Sequence, residues 1–392
     1  MNIQIAIENL IKYGKRIGLE RYEPIGFMAV KLHEGAYLLT KSGMNLSEMA
    51  ENDINGLNMD EGKIGRLLKS RTEINAIIFI RSNNAIELSK VKDSIKPSLD
   101  DLAQIIGVDA KVAKSFDDDD INYALKNRNG CYIKNEGLFA MGRSLEEAFA
   151  ATRILEKSAY VELMSDKVGE IKPIKKFDCS RMNKFYRTSY SQVNRESDFE
   201  TVTFDEKEKA LREDIVECGV KMADEGLVQG TWGNISIRLD DKSILVTPSG
   251  MDYHSLGVND IVRLNIDTMD CGKQRKPTCE CDLHSKVLKN KANCKAVIHT
   301  HSYECSVFAA TGKSLKLEGE IERIVGGDVD VISHAMPGTN KLAKLVSKAM
   351  SQKNACIMAN HGLVCAGANL YETLDMCREL EKEAKKNIES RI

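Results

Sequence analysis

Long hydrophobic runs are missing: no stretch of 18 apolar residues occurs in the 392-residue chain, which excludes a transmembrane helix. The N-terminal MNIQIAIENLIKYGKRIG mixes charges into its apolar positions and lacks the uninterrupted core of a secretory signal, so a cytoplasmic location is expected. Net charge is nearly missing too. The 56 basic and 58 acidic side chains leave a formal −2, and no global field draws the chain to nucleic acid or an anionic membrane. A small neutral or anionic ligand is the expected partner. Proline is scarce, six in all, while the 42% hydrophobic and 29% charged residues sit near globular averages, which excludes disordered and collagen-like chains. Cysteine is not scarce, at eleven. An odd number cannot all pair within one chain, and the spacing fits no small secreted scaffold, so reduced thiols are expected. Cys271, Cys279, Cys281 and Cys294 lack the paired spacing of a zinc knuckle, which argues against a structural thiolate site.

The length suggests two domains of about 190 residues, and an internal repeat supplies them. LLTKSGMNL at 38–46 reads like LVTPSGMDY at 245–253, and NAIIFIRS at 75–82 lies over KAVIHTHS at 295–302. Residues 129–159 align without a gap on 354–384, with thirteen of 31 positions identical, which decides for duplication over chance. The expected organisation is one copy at 1–165, a linker at 166–206 and a second copy at 207–392. The linker is assigned because 167–203 shows no sustained helical or strand period.

Within the second copy, 206–226 has helical spacing of Ala210, Ile215, Cys218 and Met222, and 235–247 alternates on both sides of Asp240-Asp241 as a hairpin does. A helix is expected from Thr278 as N-cap. CKAVIHTHS, ACIMAN and GLVCAG read as buried strands and 370–388 as a closing helix. Helices interleaved with hairpins give a layered α/β domain whose sheet is not purely parallel.

Six of the seven histidines fall in the second copy. His299 and His301 are two apart on a strand and share a face; alone, such a pair reads equally as a metal site or as polar packing. The aligned residues Phe79 and Arg81 show that the fold does not demand imidazole there, and Glu136 stands where the second copy has His361. Three histidines absent together are what a removable tri-histidine Zn²⁺ site would be. Glu280, nineteen residues before His299, reads as a helix-dipole carboxylate, a general base or a fourth ligand, with Asp60 opposite it in the first copy. The N–H groups around Thr278 and Cys279 are expected to form an anion-binding helix end. Thr231-Trp232-Gly233-Asn234 and Thr247-Pro248-Ser249-Gly250 add polar turns, and Phe27 replaces Asn234 in the first copy.

Gly-Thr-Trp-Gly-Asn-Ile-Ser, Thr-Pro-Ser-Gly-Met, Pro-Thr-Cys-Glu followed by His284, Val-Ile-His-Thr-His-Ser, Pro337-Gly338-Thr339 and Asn-His-Gly, in this order, resemble the class II aldolase/adducin family. The resemblance covers 207–392 directly and the first copy through the repeat. It implies two tandem α/β/α three-layer domains, each around a mainly antiparallel sheet. It also implies Zn²⁺, or another divalent metal, on His299, His301 and His361, with Glu280 as acid/base and phosphate held by Asn234, Ser249, Gly250, Thr278 and Cys279. Cys279 departs from the serine usual in the family, and His334 stands where the family has a tyrosine that donates a proton across a subunit boundary. His334 reads equally as that donor or as a surface residue; His284 reads as a residue behind the site and His254 as surface.

The implied activity is that of a metal-dependent lyase cleaving a small phosphorylated sugar or hydroxy-ketone to dihydroxyacetone phosphate and an aldehyde. Two alternatives stand beside it, a ketose 1-phosphate dehydratase and a non-catalytic adducin-like scaffold; an epimerase ranks third, because that branch commonly has Asp at the position of Glu280. From the family's four-fold rings the expected assembly is a homodimer with copies alternating in a pseudo-four-fold ring. In such a ring His334 would face the stripped copy, and the first copy's equivalent segment, near Asp109, would approach the metal.

Overall fold

In the computed structural model, which describes residues 2–33, 35–188 and 202–391, the chain divides into two compact units. One comprises Met1–Pro97 and Leu102–Leu163; the other comprises Ser98–Asp101 and Met164–Ile392. Four residues from within the sequence of the first copy thus belong to the second unit.

Each unit is built on a mainly antiparallel sheet with the same strand order. In the second the order is Val262–Asn265, Ser243–Val246, Asn234–Arg238, Ala296–Thr300, Leu363–Gly367, Ala355–Met358 and Val331–Ile332, with only the last pair parallel. In the first, Ala76–Ile80 takes the central place between Ile25–His33 and Gly137–Gly142. The expected hairpin forms, Ser236 to Arg238 pairing with Ile244 to Val246. Alternation along the strands separates two faces. In the second unit Ile244, Val246, Val297, Cys356, Met358, Val364 and Ala366 pack against Leu283, Val287 and Leu288 of helix Cys281–Asn290 and Leu342, Ala343 and Val346 of helix Asn340–Ala349. Helices Glu206–Asp224, Tyr303–Thr311 and Leu370–Glu389 contact the sheet as a second group. The result is the expected three-layer α/β/α domain, occurring twice in tandem.

Three local expectations are corrected. The stretch 167–203 is not without helix: helix Leu145–Val168 runs into it and Lys176–Thr188 is a second helix within it, burying Cys179, Met182 and Tyr186; its remainder at 189–201 lies outside the described residues. In helix Glu206–Asp224, Ala210 is exposed while Ile215, Cys218 and Met222 are buried as expected. The helix expected at Thr278 begins at Cys281, with Glu280 as its cap residue. Thr278 stands two residues before the cap; its N–H donates to the Thr247 carbonyl at 3.0 Å, within the bridge that pairs Pro248 with Pro277, while its carbonyl accepts from Cys281 N–H at 3.1 Å and its hydroxyl from Glu280 N–H at 3.4 Å.

Candidate functional site

The central strand of the second unit sets the site. His299 pairs with Asn234 on one side and Val364 on the other, and it shares its sheet face with Val297 of the core. His301 lies just beyond the strand's end at Thr300. His361 comes from the turn between Ala355–Met358 and Leu363–Gly367. Asn360 turns that corner in the left-handed conformation at φ 62°, where Asn is one of the better-tolerated residues. Asn135 holds the same φ of 62° in the first unit, so the turn belongs to the fold and only the residue after it, Glu136 or His361, differs in chemistry.

The three imidazoles converge. One ligand atom from each of His299, His301 and His361 can be chosen so that all lie within 4.8 Å of one another, and all three rings are buried. His299 donates from Nδ1 to the Leu363 carbonyl at 2.9 Å, which leaves Nε2 as the basic nitrogen. That Nε2 lies 3.3 Å from His361 Nε2 and 3.3 Å from Glu280 Oε2. Burial pushes His361 down to about 4, so at neutral pH it carries no charge and is in the metal-binding form. Burial opposes ionisation of Glu280 as well, but His299, His361 and the hydrogen bond from Asn234 outweigh it and hold the carboxyl at about 2. Glu280 is therefore a carboxylate among imidazoles.

A hydrogen-bonded chain fixes that carboxylate. Asn234 Nδ2 donates to Glu280 Oε2 at 2.9 Å, and Asn234 Oδ1 accepts from His284 Nε2. His284 Nδ1 then accepts from the Ser236 hydroxyl at 2.7 Å. This is the tautomer in which every member has a partner. His284 is fully buried and pushed down to about 3 by that burial, so it acts behind the site, as its place in the sequence suggested.

The expected substrate residues are brought together in part. Pairing of 247–249 with 276–278 sets Thr278 opposite Thr247 and Ser249 opposite Lys276; Ser249 and Thr278 are both buried, the Thr278 hydroxyl accepts from Glu280 N–H at 3.4 Å, and Gly250 follows Ser249 in the turn. The expected anion-binding end differs from its sequence reading. The N–H groups of Thr278 and Ser249 are spent on Thr247 and Lys276 carbonyls, so the hydroxyls are what these residues offer an anion. Cys279 is pushed up to about 12 by burial and stays a neutral thiol, a weak donor. Both polar atoms of the Asn234 side chain already serve Glu280 and His284.

Asp100 and Asp101, both buried, are the site residues the sequence did not reveal. Asp101 Oδ2 lies 3.6 Å from His301 Nδ1 and Asp100 Oδ2 lies 3.6 Å from His361 Nδ1. Burial raises Asp100 to about 6 against the opposing pull of His334. Asn360 holds their segment in place: its Nδ2 donates to the Ser98 carbonyl at 2.9 Å and the Lys172 carbonyl at 2.7 Å, and its carbonyl accepts from Asp100 N–H at 2.8 Å. His334 lies 3.3 Å from Asp100 Oδ1. Asp109 accepts from Arg128 Nε at 2.8 Å. A cleft of about 750 Å³ opens at His334 and Asn360, with Lys172, Lys175, Arg181 and Lys341 on its walls.

The first unit carries the same register with other chemistry. Phe27 pairs with Phe79, and Phe79 with Phe139, where the second unit has Asn234, His299 and Val364. Phe27 and Phe79 stack at 5.5 Å and Phe116 joins Phe79 at 4.9 Å. Arg81 and Glu136 are exposed. In the second unit the donors suit a divalent cation that accepts nitrogen ligands: the three rings face one another, and buried Glu280 Oε1 has no hydrogen-bond partner.

Comparison with known proteins adds the following. The model of the class II aldolase and adducin N-terminal domain matches residues 24–163 and again 213–388. A 5-deoxy-D-ribulose 1-phosphate aldolase of Bacillus thuringiensis is 32% identical over 171 residues, 43% of this chain and 80% of that protein. A 3-oxo-tetronate 4-phosphate decarboxylase of Haemophilus influenzae is 32% identical over 182 residues, 45% of this chain and 86% of that protein. Among solved structures, an L-fuculose 1-phosphate aldolase is 29% identical with a TM-score of 0.43, covering 45% of this chain and 84% of that one.

Proposed function

The chain belongs to the class II aldolase and adducin family, as a tandem duplication, and from that premise we propose that its second copy is a metal-dependent lyase cleaving a C–C bond in a small phosphorylated sugar. Retro-aldol cleavage to dihydroxyacetone phosphate and an aldehyde is the specific reading. The observation that carries it is the convergence of His299, His301 and His361 on one buried point with Glu280 against two of them. A divalent cation, Zn²⁺ by the ligand set, would be held by the three histidines and would supply Lewis-acid polarisation of a carbonyl and the adjacent hydroxyl.

The remaining chemistry falls to the chain's own residues. Glu280 is ionised at neutral pH, and Oε1 has no competing hydrogen bond, so Oε1 is the atom that takes and returns the proton on the carbon next to the carbonyl. Asn234 and, behind it, His284 hold the other oxygen and keep the carboxylate from rotating away. Ser249, Gly250 and Thr278 offer donors to a phosphate, with the Cys279 thiol in place of a hydroxyl weakening or altering that grip. The decarboxylase relative supports a neighbouring reading in which the bond broken leads to carbon dioxide. A homodimeric ring of four copies belongs to the same proposal.

The test is metal content followed by proton exchange. Elemental analysis should give close to one divalent ion per chain, lost in the His299→Ala/His301→Ala double variant. Glu280→Gln should keep the metal and slow solvent exchange of dihydroxyacetone phosphate by about 10² to 10⁴. Retention of the metal by the double histidine variant refutes the site, and unchanged exchange in E280Q removes Glu280 from the mechanism. Carbon dioxide released from a phosphorylated 3-oxo acid, with no exchange, selects the decarboxylase.

A further inference from the structure

We propose that Asp100 and Asp101, which lie in sequence within the stripped first copy, are positioning residues of the metal site, each receiving the outward ring N–H of one histidine ligand. This rests on the metal-site reading above and extends it to residues that no motif of the second copy contains. Two buried atoms carry the argument. His361 Nδ1 and Asp100 Oδ2 each have no hydrogen-bond partner, and they face each other at 3.6 Å. A buried donor and a buried acceptor left unmade are each costly, and a closing movement of under 1 Å would satisfy both.

The ring geometry says when that happens. His361 turns Nε2 toward His299 Nε2, so a ring binding metal through Nε2 must carry its proton on Nδ1, directed at Asp100. His301 presents Nδ1 to Asp101 Oδ2 at the same 3.6 Å, which likewise assigns its metal bond to Nε2. His299 makes the corresponding bond to the Leu363 carbonyl. All three outward nitrogens are thus provided for, one by the strand backbone and two by carboxylates. A carboxylate behind a ligating imidazole fixes its tautomer and raises its basicity. The pair is itself held in register, because Asn360, next to His361, binds both Ser98 and Asp100 through the backbone.

The test compares metal-free full-length wild type with Asp100→Ala, Asp101→Ala, Asp100→Asn and Asp101→Asn, titrating Zn²⁺ against a chelator and Co²⁺ by its visible spectrum. Each alanine should loosen binding about 10- to 100-fold and alter the cobalt band. Each asparagine, whose Oδ1 still accepts, should fall between alanine and wild type. Melting of the metal-free proteins separates this from simple damage, since it sets each variant's own baseline, from which D100N and D101N should gain less on metal addition than wild type does. Wild type that binds no metal refutes the site and this inference with it. Wild type that binds while all four variants stay within twofold, or variants that lose only metal-free stability with the metal-induced rise in Tm intact, overturns the carboxylates' role alone.

Discussion

Replacing Gly362 with Ala should damage fold and site together, and its twin Gly137→Ala should damage the fold without the site. Gly362 follows His361 and lets its strand pass close to the central one. A Cβ there would lie 2.2 Å from the Thr300 carbonyl oxygen and 2.9 Å from His299 Cε1. At Gly137, the aligned position, a Cβ would meet the Ile80 carbonyl oxygen at 2.1 Å, with a φ of +149° adding strain. In each case the strands must part by roughly 1 Å to restore an ordinary contact. Overpacking of this kind costs about 1 to 3 kcal/mol, and a backbone oxygen yields less than a side chain, so the upper end applies. For a domain of this size, 3 kcal/mol corresponds to a fall in Tm of about 6 to 12 °C. The consequences then diverge. In G362A the new methyl also presses on the His299 ring between its two nitrogens, and metal sites tolerate displacements of only about 0.5 Å, so metal affinity should drop on the order of tenfold or more. In G137A the neighbours are Ile80 and Arg81, and affinity should not change. Calorimetry of the full chain, which need not melt in one step, and a chelator-competition titration read the two effects separately. G362A with wild-type Tm, or with lowered Tm and wild-type metal affinity, would refute the reasoning.

Asn360→Gly should cost about 2 kcal/mol, since the buried carbonyls of Ser98 and Lys172 lose their donor while the left-handed φ is kept; Asn360→Ala should cost about 1 kcal/mol more for that φ. Urea titrations giving the same midpoint for both variants would deny the backbone contribution. For His284 the folded pKa is depressed to about 3 by burial, below the value of about 6.5 expected when unfolded. The unfolded chain therefore binds the extra proton first, and stability falls as pH drops from about 6.5 toward 3, by up to about 1.4 kcal/mol per pH unit. His284→Gln should flatten that acid limb in metal-free urea titrations, and an unchanged slope would mean that His284 is not what titrates.

The sheet was legible because its periods are local and because the repeat supplied a second reading of each strand. Aligning Phe27 with Asn234 and Phe79 with His299 proves to be a statement about register, since each pair lies directly across two neighbouring strands. The Asn-x-Gly turn was legible for the same reason. The helix at 176–188 was not, because its buried stripe is only Cys179, Met182 and Tyr186, while Phe177 and Phe185 point into solvent and blur the period. The start of helix Cys281–Asn290 was placed at Thr278 because a threonine before an apolar run reads as a cap, whereas the cap residue is Glu280, two positions on. Asp100 and Asp101 gave no usable signal: two acids after Ser98 at the start of helix Asp100–Ile105 look like any favourable first turn.

The motifs and the site therefore have different boundaries. Every metal-ligand candidate and every substrate-binding candidate falls in 207–392, and a reading by motif would cut the chain near residue 205 to isolate that half. The second unit, however, includes Ser98–Asp101 and everything from Met164 onward. Such a cut removes both carbonyls that receive the Asn360 side chain and both carboxylates that face His301 and His361. Buried groups that lose partners cost more than the bonds contributed, and here His301 and His361 would lose the carboxylates that face them. Duplication left one copy with phenylalanines where the other has Asn234 and His299, yet four residues of that copy's sequence belong to the other's compact unit. If the proposed metal site and its carboxylates hold, a segment that carries none of the motifs is needed by them, which would give a physical reason for the first copy to persist.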